Sequence, residues 1–352
     1  MPVKEGVVRR ARRSFGKIDK VIDIPSLIEM QKASYEQLLQ RNVSPEDRQD
    51  IGLQAAFKSV FPIHDFTGTS SQKAVCFNAP LPVTLASVYY TFRCLLGDHI
   101  PQNDGCFRPI KVKAPPGCLV NAQKPYATAG GNVETSQRIV DTLLLALSQA
   151  LPDRIPAASC GSMNNITIGG IRGADSYAYY ETIGGGMGAG PHKEGLSALH
   201  THMTNTRNTP IECLESEYPF MITRYEIRQN SGGSGKHRGG DGILREYLFN
   251  CPSQVSIISE RRRNSPYGLS GGKPGAKGIN SHFDCSKGRE EILPGKTAFK
   301  VHQGDKVRIE TPGGGGFGGR TKEEMQAKPK ERTETVITSL LDGFVKTLKG
   351  QT

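Results

Sequence analysis

A chain of 352 residues is long enough to bury a large core, and length alone suggests two or three domains. Its 41 glycines, 22 prolines and 36% hydrophobic content argue against a helical bundle and for turns and short strands. The net charge of +11 is uneven, with seven Lys/Arg against two acids in residues 1–20, so the central region carries an ordinary solvated surface rather than a nucleic-acid face. None of the eight cysteines forms a CxxC pair, which excludes a zinc ribbon or a thioredoxin motif. The basic N-terminus has no apolar core of the signal-peptide kind, and TLLLALSQAL is too short to span a bilayer. Reduced thiols in a cytoplasmic protein are the expectation.

In chain order, residues 15–24 read as a strand. Pro25 then sits in the first turn of a helix whose apolar face is Leu27, Ile28, Gln31, Tyr35, Leu38 and Leu39. Ser44-Pro45 breaks it, and GLQAAFKSVFPI forms a second short element. Leu85, Val88, Tyr89, Phe92, Leu95 and Leu96 define an amphipathic helix stopped by Gly97. Asn103-Asp104-Gly105 and the segment 121–132 are polar turns. Ile139, Val140, Leu143, Leu144 and Leu147 define another helix, ending near Pro152. The runs ITIGGIR, YAYYETI, FMITRYEIRQ, GILREYLF, QVSIIS and DKVRIET alternate as strands between glycine turns. The expected class is α+β, strand-rich after residue 160, with a charged tail from 320 that is helix-like over 334–348.

His200-Thr201-His202 is the metal candidate: on a strand, i and i+2 share a face, and Glu212 or Glu215 could complete a site. Hydrogen-bonded structural histidines are the alternative. Asn205, Arg207 and Asn208 offer donors for a carboxylate, phosphate or amide, or for bridging loops. Glu181, Glu212 and Glu217 are candidate acids or bases, or surface carboxylates. GGGMGAG (184–190) and GGGGFG (313–318) imitate dinucleotide fingerprints, but Pro191 and the charged residues after it follow the first and Pro312 precedes the second. SGGSGKH (231–237) lacks the spacing and the Ser/Thr of a phosphate loop. These glycines are expected to permit positive-φ turns and close backbone packing.

Two resemblances follow. RRSFGKIDKVIDIPSLIEMQKASYEQLLQ and GLQAAFKSVFPIHDFTGTSS resemble the extreme N-terminus of the bacterial RNA polymerase beta subunit, over residues 1–71. PQNDGCFRPIKV, AGGNVETSQRIVD, GSMNNITIGG, HTHMTNTRNTP, SGGSGKHRGGDG, ERRRNSPYGLSGGKPGAKG and ETPGGGG resemble the C-terminal portion of the hydantoinase B / 5-oxoprolinase family, over residues 65–319. The implied plan is a chimera: 1–64 polymerase-like, 65–319 hydantoinase B-like without the family's N-terminal half, and 320–352 of separate origin. The second resemblance implies a B-type part of an ATP-dependent hydrolase that opens hydantoin or 5-oxoproline rings, inactive alone. An A-type partner would supply ATP and Mg²⁺, and the family's divalent-metal motifs would lie in the missing half. A ketone carboxylase-type subunit, a transcription-complex fragment and a non-functional chimera are the alternatives. The candidate catalytic residues are His200, His202 and Glu212, and the candidate substrate contacts are Asn205, Arg207 and Asn208.

Overall fold

Alternating apolar residues after position 160 build two antiparallel sheets that share one core. The computed structural model describes residues 63–95, 107, 110–149 and 151–319; the expectations for 1–62, for Asn103-Asp104-Gly105 and for the tail helix lie outside them. Strands β3 (Asn165–Arg172), β4 (Asp175–Glu181), β7 (Ser253–Ile258) and β10 (Lys296–Val301) form one sheet in the order β10-β7-β3-β4. Strands β5 (Phe220–Arg228), β6 (Gly242–Phe249), β8 (Ile279–Asp284), β9 (Arg289–Leu293) and β11 (Lys306–Glu310) form the other, in the order β5-β6-β11-β8-β9. A short parallel pair, β1 (Ile63–Asp65) with β2 (Lys111–Lys113), stands apart.

Period-two burial explains the pairing. Ile166 and Ile168 of β3, Val255 and Ile257 of β7, Tyr247 and Phe249 of β6, and Val307 and Ile309 of β11 belong to one buried cluster. Each such side chain contributes roughly 1.5–3 kcal/mol by leaving water. The same inward face of β6 carries Arg245, fully buried beside Glu181 of β4 with an Nε–Oε2 distance of 3.0 Å. The mixed α and β architecture and the six anticipated strands are present. Strands β1, β2, β8, β9 and β10 were not anticipated: β1 and β2 are three residues each, β8 buries the polar Asn280, Ser281 and His282, and four of the five β9 residues are exposed.

Helix α1 (Leu81–Arg93) starts four residues before the predicted Leu85, with Pro82 in the first turn, where its missing N–H costs nothing. Helix α2 (Ser136–Leu147) follows a π-helical turn over Gly131–Thr135. Gly131 is required there, since a Cβ would lie 1.9 Å from the Asn78 carbonyl oxygen. Val88 and Phe92 of α1 pack on Ile139 and Leu143 of α2. The buried side of α2 also carries Gln137 and Asp141, two polar groups on an otherwise apolar face. A short helix, α3 (Ile211–Glu217), buries only Leu214 and left no periodic signal.

The glycine runs form neither dinucleotide nor phosphate loops. The N–H groups of Gly313, Gly314, Gly315 and Gly316 donate in turn to the carbonyls of Ala276, Gly240, Ala158 and Lys273. Gly313 and Gly316 thus reach the same neighbouring segment, while the residues between them reach two others. That rotation is the repeat of an extended strand with about three residues per turn and no internal hydrogen bonds. The run is therefore the centre of a bundle of extended segments cross-linked by backbone hydrogen bonds. A Cβ at Gly314 would lie 2.0 Å from the Met187 carbonyl oxygen, and one at Gly186 would lie 2.0 Å from that of Gly240. Close packing holds as expected, and positive φ in the 313–318 run is confined to Gly318.

Candidate functional site

A cavity of about 790 Å³ opens between α1, α2 and the loops that leave the glycine bundle. Leu95, Leu144, Ile155 and Met187 give it an apolar lining. Tyr90, Cys94, Asp153, Lys193, His200 and His202 give it a polar one. Chemically this is a pocket for a small, mostly apolar ligand with a few polar groups, the usual composition of a small-molecule site.

The histidine loop is held from below by α2. The Gln137 side-chain amide donates to the Thr201 carbonyl at 2.9 Å and to the Thr204 hydroxyl at 2.8 Å. His200-Thr201-His202 is not a strand, contrary to the geometry that made it a metal candidate. His202 has φ of 56°, in the left-handed region that histidine tolerates better than most residues. The two imidazoles consequently have separate partners: His200 Nε2 meets Asn208 Oδ1 at 3.3 Å, and His202 Nδ1 meets the Tyr90 hydroxyl at 3.3 Å. Among the described residues no group of three or more His, Cys, Asp or Glu side chains could hold a metal ion. The donors at hand do not fit a divalent metal.

Asn208, itself half-buried, is the hub of a network that runs from the exposed Tyr225 into the buried Glu181, Tyr247 and Arg245. Its amide donates to Glu181 Oε1 and to the Thr182 carbonyl, both at 2.9 Å, while its oxygen faces His200 and accepts from the Tyr225 hydroxyl at 3.3 Å. Glu181 Oε2 in turn accepts from the Tyr247 hydroxyl at 2.7 Å. The Arg245 guanidinium stacks 4.5 Å from the centre of the Tyr225 ring. Glu181 is therefore a clamp for Asn208 and Arg245, not a free acid or base. Burial lowers the pKa of His200, opposed by the Asn208 hydrogen bond and the Glu181 charge. Burial also lowers that of His202, opposed by Asp141. Both rings are thus biased toward the neutral form at neutral pH.

The structure brings His200, His202 and Asn208 together. Asn205 and Arg207 are exposed on the same loop, and Glu212 is exposed in the first turn of α3, all three outside the cavity lining. Glu217 is likewise exposed, and Glu215 is occupied in accepting from the Ile222 N–H at 2.7 Å. Tyr90, Gln137, Asp141 and Lys193 were missed. Asp141 and Gln137 had a readable signal, as polar residues inside the apolar helical face of α2; Tyr90 and Lys193 had none.

The fold and cavity define a mixed α and β protein in which two sheets and a glycine bundle support a histidine-lined cavity. The Hydantoinase B/oxoprolinase family model matches residues 19–320, and the chain belongs to that family. The match begins at residue 19, well before the boundary at residue 65 expected from the sequence, so the family extends into the segment that was set apart from it. The chain is similar to 5-oxoprolinase 1 of Arabidopsis thaliana, with 47% identity over 254 residues, covering 72% of this chain and 19% of that protein. Among solved structures it is similar to an ATP-dependent caprolactamase from Pseudomonas jessenii, with a TM-score of 0.63 and 26% identity over 71% of this chain and 45% of that one. Nucleotide-free acetone carboxylase, at 19% identity, shares the fold with a TM-score of 0.62, over 73% of this chain and 39% of that one. The chain thus spans less than half the length of each. Among the described residues no helix is long and apolar enough to cross a membrane.

Proposed function

We propose that the chain is the B-type part of a cytoplasmic, ATP-dependent cyclic-amide hydrolase, and that the cavity beneath His200 and His202 receives the ring. The observation that carries this reading is a small-molecule cavity bearing two histidines in a chain of the hydantoinase B/oxoprolinase family. ATP and Mg²⁺ belong to an A-type partner, which activates the ring carbonyl by giving it a better leaving group. This chain contributes the pocket, the orientation of the ring and the proton transfers that ring opening needs. Apolar walls suit the methylene side of a lactam or an oxoproline, and the polar side suits its amide. The likeness to acetone carboxylase is one of fold and gives no separate support to a carboxylase reading.

The test is reconstitution. The full chain is co-purified with an A-type subunit, and ATP-dependent ring opening is measured with 5-oxoproline, hydantoin and caprolactam. Ring opening that requires both subunits and ATP is the expected result. A stable complex that hydrolyses none of these rings overturns the reading.

A further inference from the structure

The cavity contains a second arrangement, independent of the His200–Asn208 pair. Tyr90 lies on the cavity side of α1, its hydroxyl 3.3 Å from His202 Nδ1 and its ring edge-on to the imidazole at 5.9 Å. Across the same imidazole, Nε2 lies 3.9 Å from Oδ1 of Asp141. The Asp141 side chain is 1% exposed, and its other oxygen, Oδ2, is held by Arg138 and by Arg261, the latter at 2.6 Å. Oδ1 of Asp141 and Nε2 of His202 are both buried without a hydrogen-bond partner, facing each other. The backbone is shaped around this group: Gly161, with φ of 63°, passes so close that a Cβ would lie 2.5 Å from Oδ2 of Asp141.

We infer that Tyr90, His202 and Asp141 form a proton-transfer array, with Tyr90 the group that meets the ligand and His202 and Asp141 the positioning residues behind it. The inference rests on the reading of the cavity as the place where a cyclic amide opens. It follows the general pattern in which a hydroxyl is paired to an imidazole and the imidazole is oriented by a carboxylate. Asp141 facing Nε2 favours the tautomer with its proton there, which leaves Nδ1 to accept from Tyr90.

The array returns to its starting state in one turnover. Water's oxygen bonds to the activated carbonyl carbon, and its proton goes to the Tyr90 oxygen as the proton of Tyr90 passes to Nδ1. The imidazolium so formed faces the Asp141 carboxylate, and the 3.9 Å separation closes toward a charge-assisted hydrogen bond. The ring C–N bond then breaks with its electron pair left on nitrogen, and the carbon becomes an open-chain acyl group that keeps the activating group until a second water displaces it. That nitrogen takes the proton from Tyr90, and Tyr90 recovers its own from His202. One proton has moved from water to nitrogen.

The test uses the full chain labelled with ¹⁵N-histidine. His202 is expected to show a protonated Nε2 and an Nδ1 that accepts a hydrogen bond. Tyr90→Phe keeps the ring packing and should shift the Nδ1 resonance; Asp141→Asn should shift Nε2. In the reconstituted complex, Tyr90→Phe should lower kcat about 10²-fold or more and leave KM within about threefold. An Nδ1 resonance unmoved by Tyr90→Phe overturns the array, as does unchanged kcat in an active complex. If Asp141→Asn does not fold, Tyr90→Phe decides alone. If the wild-type complex opens no ring, the hydrolase reading falls while the spectra still decide the array. A coupled Tyr90–His202 pair would then stand as a proton donor for a ligand of another class, and an uncoupled one would end the inference.

Discussion

Replacing Gly314 with Ala tests whether the glycine bundle is a packed backbone core. The new methyl would sit 2.0 Å from the Met187 carbonyl oxygen and 2.3 Å from its carbon, where ordinary contact needs about 3.5 Å. No side chain can yield, because both obstacles are backbone. Met187 O is also fixed, since it accepts from the Gly240 N–H at 2.8 Å, and Gly240 O accepts from Gly314 itself at 2.8 Å. Overpacking costs roughly 1–3 kcal/mol. Each buried backbone hydrogen bond left open adds about 1–3 kcal/mol. With one or two bonds lost, the total is about 2–9 kcal/mol, comparable with the roughly 5–15 kcal/mol that holds a domain folded. The control is Gly173→Ala, at φ of 66° with nothing within 4 Å of the added Cβ. Backbone strain alone should cost it about 1–2 kcal/mol. Urea denaturation of both variants beside the wild type measures the difference. A loss in Gly314→Ala no larger than in Gly173→Ala would refute the bundle argument.

Burial, reinforced by the Glu260 charge, raises the pKa of Glu134 from 4.5 to about 8. The fold therefore holds this proton where the unfolded chain has released it. Stability from this group is complete below about pH 4.5 and is lost as the pH rises to about 8, by roughly 5 kcal/mol at most. Glu134→Gln keeps an acceptor for the Met163 N–H and the Asn165 amide, so it should flatten the pH dependence of the melting temperature between pH 5 and 8; an unchanged slope would count against it. Asn208→Ala removes the contact that raises the His200 pKa, so His200 should titrate at lower pH by NMR, with a stability loss of about 1–3 kcal/mol; a titration at higher pH would contradict the assignment.

The fold was legible where burial is one-sided. Val255 and Ile257, or Ile166 and Ile168, advertise a strand because one face meets apolar core. Strand β8 hid because its buried residues are polar: His282 pairs with Asp305 at 3.1 Å, and Asn280 accepts from Arg262. Such residues read as loop until their partners, distant in sequence, are known. The bundle hid for another reason. Glycine carries no hydropathy pattern, and the three-residue rotation of Gly313–Gly316 exists only in hydrogen bonds to segments far along the chain.

The residues of the candidate site were half legible for a related reason. A motif scan finds residue types, and it found His200, His202 and Asn208; it could not choose between them and their exposed neighbours Asn205, Arg207 and Glu212. That choice is made by long-range partners. Asn208 is selected by Glu181 of β4, and His202 by Tyr90 of α1 and Asp141 of α2. Even the strand geometry assumed for the HxH pair failed locally, at the positive φ of His202, because the loop is pinned by Gln137 and not by a neighbouring strand. Arg245 carries the same argument furthest. In the sequence it is one charge in an alternating run, GILREYLF, where an outward-facing arginine would be unremarkable. In the fold it points inward, is fully buried, and spends its charge on the carboxylate that holds Asn208 against His200. A buried ion pair of this kind is costly to break, by about 3–5 kcal/mol when one partner is removed. The core of the sandwich thus fixes the position of a cavity residue, and the sequence separation between Arg245 and His200 conceals it.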